Sequence, residues 1–277
     1  MANFSEKTAR RVRALTRKFP FATSETIGTS RLGAPLHALR VGYGAQHISY
    51  NATHHANEWI TTLLLLRFVR EYCTACLHNP ALLETFTFFA IPLVNPDGAD
   101  AVIRGTHTPD WKANACGVDL NANYPASWHI GRENKFAQGY DTAGARGYPG
   151  DAPLCEPESS AMAAYTQLRD FALTVSLHTQ GEEIYHRYRH FDPPNAEAIA
   201  AQMANVGHYP LVDVPDESSH GGYRDWFIEH FNRPGFTIEC GLGENPLPSK
   251  DFASIYKDIA PLLWVPFQYF AGDKSQL

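Results

Sequence analysis

No apolar run in this 277-residue chain is long enough to cross a bilayer, which takes about 20 consecutive apolar residues. Positive charge is not in excess either: 23 Lys and Arg stand against 29 Asp and Glu, a formal net charge of -6. The pI is near 6.1. A nucleic-acid groove or a surface for anionic lipid needs a basic block, and none is present. An acidic substrate therefore has to be held by local Arg or Lys residues against an unfavourable overall field. Cysteine is sparse, with five residues in all. The odd number and the spacing suggest no disulfide framework and favour a reducing compartment. Cys73 and Cys76 form a C-x-x-C, but no second pair follows and they lie near the end of a leucine-rich helical stretch, so helix packing is the expectation. The N-terminus lacks the apolar stretch and small-residue cleavage site of a secretory signal. A cytoplasmic protein is expected.

Repeats and low-complexity linkers are also missing. A 44% hydrophobic content is enough for one sizeable core, and one catalytic domain over residues 1–277 is expected. Val12, Leu15 and Phe19 recur at helical spacing, predicting an amphipathic helix within residues 1–20 with Ser5 as its cap. Strands are predicted over 26–29, 36–42, 47–52, 85–91, 173–177, 183–188 and 235–240, and helices over 58–76, 157–171, 195–206, 223–231 and 249–270. Interleaved strands and helices predict an α/β/α sandwich, a mixed, mostly parallel-cored sheet with helices on both faces.

Function in such sheets gathers where strands end. Three chemically loaded segments fall there: THHANEWI, SLHTQGEE and FTIECG. In the first, His55 and Glu58 are three positions apart, with the Glu expected in the first turn of a helix. Such a pair can converge on one ion, and zinc takes imidazole nitrogen and carboxylate oxygen at about 2.0–2.2 Å. His178 ends an apolar run and is the natural third ligand, leaving one position open for water. His54 reads as a neighbour that packs or hydrogen-bonds. A lone H-x-x-E arises often by chance, and a histidine ending a strand is more often structural than ligating. Glu239 lies inside an apolar strand-like run, where an unpaired carboxylate is costly to bury. It is either salt-bridged or a general base tuned by a desolvated cleft.

The order of motifs is more specific than any one of them. IGTSRLGAPLHALRVG, HHANEWI, VNPDGAD, GVDLNANY, SLHTQG, GGYRDW and FTIECG together resemble the zinc carboxypeptidase family over nearly the whole chain. The resemblance implies one Zn2+ ion on His55, Glu58 and His178. It implies that Glu239 takes a proton from the attacking water and passes it to the leaving amine. Amide hydrolysis also needs a cation facing the developing oxyanion. The family places an arginine after a tryptophan for this; here the pair is Trp111-Lys112, with Arg104 the other candidate and a solvated Lys112 the bland alternative.

The chain departs from the classical members where they recognise substrate. Asn121 is retained, but the arginine that grips a terminal carboxylate is replaced by Ala122. A second family arginine is Asn57, and the mobile tyrosine position is Glu217. Alanine cannot form a bidentate carboxylate pair, so amidating a simple peptide's C-terminus is expected to carry no large penalty. Arg224 occupies the position lining the pocket for the residue after the cleaved bond. Buried there it would select a carboxylate-bearing side chain; otherwise it is an exposed helix arginine. HHANEWITTLLLL, HTQGEEIY, RGYPGDAPLCEPES and RPGFTIECGLGENPLP resemble the bacterial subgroup that cuts the γ-D-glutamyl–meso-diaminopimelate bond of peptidoglycan stem peptides. The implied partner is a peptide, a murein tripeptide or related muropeptide. One rival reading is a carboxypeptidase releasing C-terminal acidic residues. A remoter one is an inactive peptide-binding module, against which the intact ligand set and Glu239 argue.

Overall fold

The segment FTFFAI forms a strand buried at every position, and alternation turns Phe88 toward one helical layer and Phe89 toward the other. The computed structural model describes residues 2–215 and 219–272. Its strands are β1 (Ala22–Thr29), β2 (Pro35–Gly42), β3 (Gln46–Ala52), β4 (Phe86–Ile91), β5 (Leu173–His178), β6 (Glu183–Tyr185) and β7 (Gly235–Glu239). They lie in one seven-stranded sheet, ordered β1-β2-β4-β3-β5-β7-β6. The central run β4-β3-β5-β7 is parallel, and antiparallel pairs close both edges.

One face carries α1 (Phe4–Lys18), α2 (Ile60–His78), α7 (Ala196–Gly207) and α9 (Phe252–Ala271). The other carries α6 (Pro157–Arg169) and α8 (Tyr223–Phe231). The fold is the expected α/β sandwich with a mixed sheet. No described helix is long and apolar enough to cross a membrane. Cys73 and Cys76 are buried in α2 as free thiols, and burial pushes both up to about 12.

Several local expectations are corrected. The first strand begins at Ala22, not at residue 26, because the segment after α1 pairs at once with β2. Asn3 caps α1, its side chain accepting from the Glu6 N–H at 3.0 Å. Ser5 lies inside the helix and donates its hydroxyl to Asp100 at 2.6 Å. Glu58 belongs to a 3-10 turn, Ala56–Glu58, and α2 starts only at Ile60. Helices α3 (Ala81–Thr85), α4 (Pro96–Arg104) and α5 (Trp128–Ala137) have no counterpart in the sequence reading. Turn-forming residues hide α4: Asn95 caps it, Pro96 opens it and Gly105 ends it.

Candidate metal centre

Three adjacent parallel strands deliver the site. Ala52 of β3 stands opposite Leu177 of β5, and His178 stands opposite Glu239 of β7. The loops beyond these ends therefore converge at one point. After β3 the chain turns at Thr53, whose hydroxyl hydrogen-bonds those of Thr61 and Thr62 at 2.8 Å each. That locks the start of α2 against the strand end and holds the turn carrying His55 and Glu58.

The structure brings the three expected ligands together. His55 Nδ1 lies 2.8 Å from Glu58 Oε1, His178 Nδ1 lies 2.9 Å from Glu58 Oε2, and the two Nδ1 atoms are 3.2 Å apart. Donors held tetrahedrally on zinc bonds of about 2.0–2.1 Å sit about 3.3 Å from one another. Spacing and donor set thus fit one zinc ion. On its far side His55 Nε2 meets Asp119 Oδ1 at 3.2 Å. A carboxylate there fixes the ring so that Nδ1 is the nitrogen offered to a metal. His178 stacks on His54, with centroids 5.9 Å apart and planes 18° apart. His54 itself is buried and bonded to the Tyr124 hydroxyl at 3.0 Å, so it packs and hydrogen-bonds, as its sequence context suggests.

Asp119 was not singled out in the sequence, although GVD lies inside a recognised motif. Its loop is pinned by buried amides. Asn95 donates to the carbonyls of His54 and Ala113, both at 3.1 Å. Asn114 accepts from the N–H of Cys116 and of Val118. Asp119 also accepts from Asn121 N and Gly147 N, each at 3.1 Å. Burial alone would raise its carboxyl, but His55, Lys112 and the Gly147 N–H hold it well below the carboxylate range. Burial opposes the charge on Glu58 too, and the surrounding His55, Lys112 and His178 outweigh it. His55, lowered by burial, is raised on balance to about 9 by Glu58 and Asp119.

A cavity of about 620 Å³ opens beside the cluster and is lined by Asn57, Lys112, Tyr185 and Glu239 among others. Lys112 Nζ is 3.1 Å from Glu58 Oε1. The Glu239 carboxylate makes no hydrogen bond to a described residue. Burial and the negative charge of Glu58 push it up to about 8, against the pull of Lys112 and His55. The other cation considered, Arg104, is elsewhere: it ends α4, donates Nε to the Asp100 carbonyl at 3.0 Å and faces a separate cavity beside α1.

Of the substrate-binding residues read from the sequence, Asn121 lines a second cavity of about 220 Å³ next to His55. Its side-chain oxygen accepts from Tyr223 N at 3.1 Å. Arg224 is buried rather than exposed. It is paired with Asp225 and lies 5.7 Å from the Tyr185 ring. Glu217 lies outside the described residues.

The sequence pattern of the zinc carboxypeptidases matches residues 9–261. The chain is 36% identical over 273 residues to gamma-D-glutamyl-L-diamino acid endopeptidase 1 of Lysinibacillus sphaericus, covering 89% of this chain and 67% of that protein. It is similar in fold to bovine thrombin-activatable fibrinolysis inhibitor, with a TM-score of 0.80, 20% identity and 97% of each chain covered. Murein-tripeptide amidase MpaA from Escherichia coli O157 superposes with a TM-score of 0.58 at 26% identity, over 87% of this chain and 91% of that one. With the family pattern spanning most of the chain and the overall fold similar, the chain belongs to the zinc carboxypeptidase family and is a zinc metallopeptidase.

Proposed function

We propose that this peptidase hydrolyses the γ-D-glutamyl–meso-diaminopimelate bond of peptidoglycan stem peptides, with a murein tripeptide or related muropeptide as substrate. In this reading His55, Glu58 and His178 hold the zinc ion. Zinc bound there supplies Lewis-acid polarisation and lowers the pKa of water to near neutrality. Glu239 faces the same cavity with its proton affinity raised, suited to take a proton from the attacking water and give it to the leaving amine. Lys112 supplies positive charge where the amide oxygen becomes negative. Asp119 keeps His55 in register.

One observation carries the choice of bond. Arg224 is buried next to Tyr185, which lines the cavity, and its Nη1 has no partner among the described residues. A buried guanidinium with an unused donor favours a second carboxylate on the residue after the cleaved bond, and meso-diaminopimelate carries one at the end of its side chain. The similarity to an endopeptidase named for γ-D-glutamyl-L-diamino acid bonds supports the same reading. The test is kcat/KM on L-Ala-γ-D-Glu-meso-diaminopimelate and its lysine counterpart. Wild type should prefer the diaminopimelate peptide by on the order of 30-fold or more, as for losing one partner of a buried charge pair. Arg224→Ala should lose most of that preference. Equal wild-type values reject the assignment, and faster release of glutamate from ordinary C-terminal peptides favours the acidic carboxypeptidase instead.

A further inference from the structure

The cavity of about 220 Å³ beside His55 is lined by Asp119, Asn121 and Ala122 on one side and by Lys135 and Arg146 on the other. Its one carboxylate among the described residues, Asp119, is already committed to His55 Nε2, Asn121 N and Gly147 N. Neither Lys135 nor Arg146 has a hydrogen bond or ion pair from its side chain to a described residue. The cavity therefore holds two cations with no hydrogen bond or ion pair to a described side chain, Arg146 feeling only the more distant charge of Asp110, next to a proposed metal ligand in a chain whose overall charge is negative.

Arg146 is not on a loose loop. Ala145 just before it accepts from Lys112 N at 2.7 Å and Ala113 N at 3.0 Å, and Gly147 just after it donates to Asp119 at 3.1 Å. Gly147 has φ +78°, and a Cβ there would lie 2.5 Å from the Tyr140 ring, so backbone and ring close directly on each other. The guanidinium is carried by backbone bonded to the catalytic loop on both sides. It lines both cavities, the one with Glu239 and the one with Asn121.

We infer that Arg146, with Lys135 beside it, is a carboxylate-binding subsite that grips a free α-carboxylate on the residue bearing the leaving amine. The placement follows from Asn121, which joins this cavity to Tyr223, the neighbour of Arg224. A residue with two carboxylates can then present its side-chain end to Arg224 and its α-carboxylate to Arg146. Cations from helix α5 and from the loop after it thus occupy the place left by Ala122 and Asn57. Such a subsite predicts the opposite of the expectation drawn from Ala122 alone, that amidation carries little penalty. This deepens the proposed function and rests on it for the orientation of the substrate.

The experiment compares peptides with a free α-carboxylate and their α-amides, ending in diaminopimelate, lysine or glutamate. Wild type, Arg146→Gln, Lys135→Gln, the double variant and Arg146→Lys are assayed. Hydrogen bonds to a charged group are each worth about 1.5–3 kcal/mol, so amidation should lower wild-type kcat/KM by about 10- to 100-fold, mainly through KM. The double variant should bring the acid down to the level of the amide, and Arg146→Lys should recover part of the difference. Titration calorimetry of acid and amide into Glu239→Gln protein reads the same difference without turnover. Equal affinity for acid and amide in wild type, or undiminished discrimination in the double variant, overturns the inference. If wild type rejects the tripeptide but cleaves another acid peptide in preference to its amide, the proposed bond fails while the carboxylate subsite stands.

Discussion

Replacing Asp119 by Asn tests whether the site is held from behind His55. The carboxylate has three donors to satisfy: His55 Nε2–H and Asn121 N–H on Oδ1, and Gly147 N–H on Oδ2. Asparagine offers one acceptor oxygen and one NH2. If the oxygen stays with His55 and Asn121, the NH2 faces the Gly147 donor; if it flips, His55 and Asn121 face the NH2. Either orientation leaves a buried N–H against another donor, a cost of about 1–3 kcal/mol. The ring of His55 also loses the negative charge that makes Nδ1 the better ligand. Loss of such an outer partner typically weakens metal binding by about 10- to 100-fold. The assay is zinc competition against a chromophoric chelator, with thermal melting of the metal-stripped protein alongside. The variant should bind zinc more weakly by that factor and melt lower. Zinc affinity within about threefold of wild type, well short of the expected loss, would refute the argument.

Glu239→Gln should keep zinc while kcat falls by roughly 10² or more, the scale of lost general acid–base catalysis; near-normal turnover removes Glu239 from the chemistry. His55→Ala and His178→Ala should each lose most of the metal as well as activity, and full metal retention in both would sink the ligand assignment. For the metal-stripped protein, His55 is raised from 6.5 to about 9. Its stabilisation is fully present below pH 6.5 and is lost as pH rises through 9. Glu239, raised from 4.5 to about 8, acts in the same direction over its own range. Melting temperature should therefore fall between pH 6.5 and 9 after chelation, and fall less with zinc bound, where His55 is already neutral. A flat profile after chelation contradicts this.

Much of the architecture was legible because burial imposes a period. Short, mainly apolar runs rich in aromatic and β-branched residues, such as FTFFAI and LTVSLH, fit central strands between helical layers and are buried at every position, and the long amphipathic stretches fit their covers. The elements that escaped, α3, α4 and α5, are short and bounded by turn formers, so no period accumulates along them. The cap of α1 was misplaced by two residues, because Asn3 and Ser5 are both competent caps and only the backbone decides which carbonyl group opens the helix.

The sequence by itself determined the chemical inventory: two histidines and a carboxylate at strand ends, a second carboxylate at the end of β7, and the substitution of Ala122 and Asn57 for arginines. These are single-residue identities in ordered motifs, and identity survives without coordinates. Only the tertiary structure decided which groups meet. It removed Arg104 from consideration by turning α4 to another face, and it set Asp119 against His55, 64 positions earlier. It buried Arg224 beside Tyr185, and brought Lys135 and Arg146 into one cavity with Asn121. Such neighbours are fixed by strand order and by backbone hydrogen bonds between distant loops, and neither leaves a periodic trace along the chain.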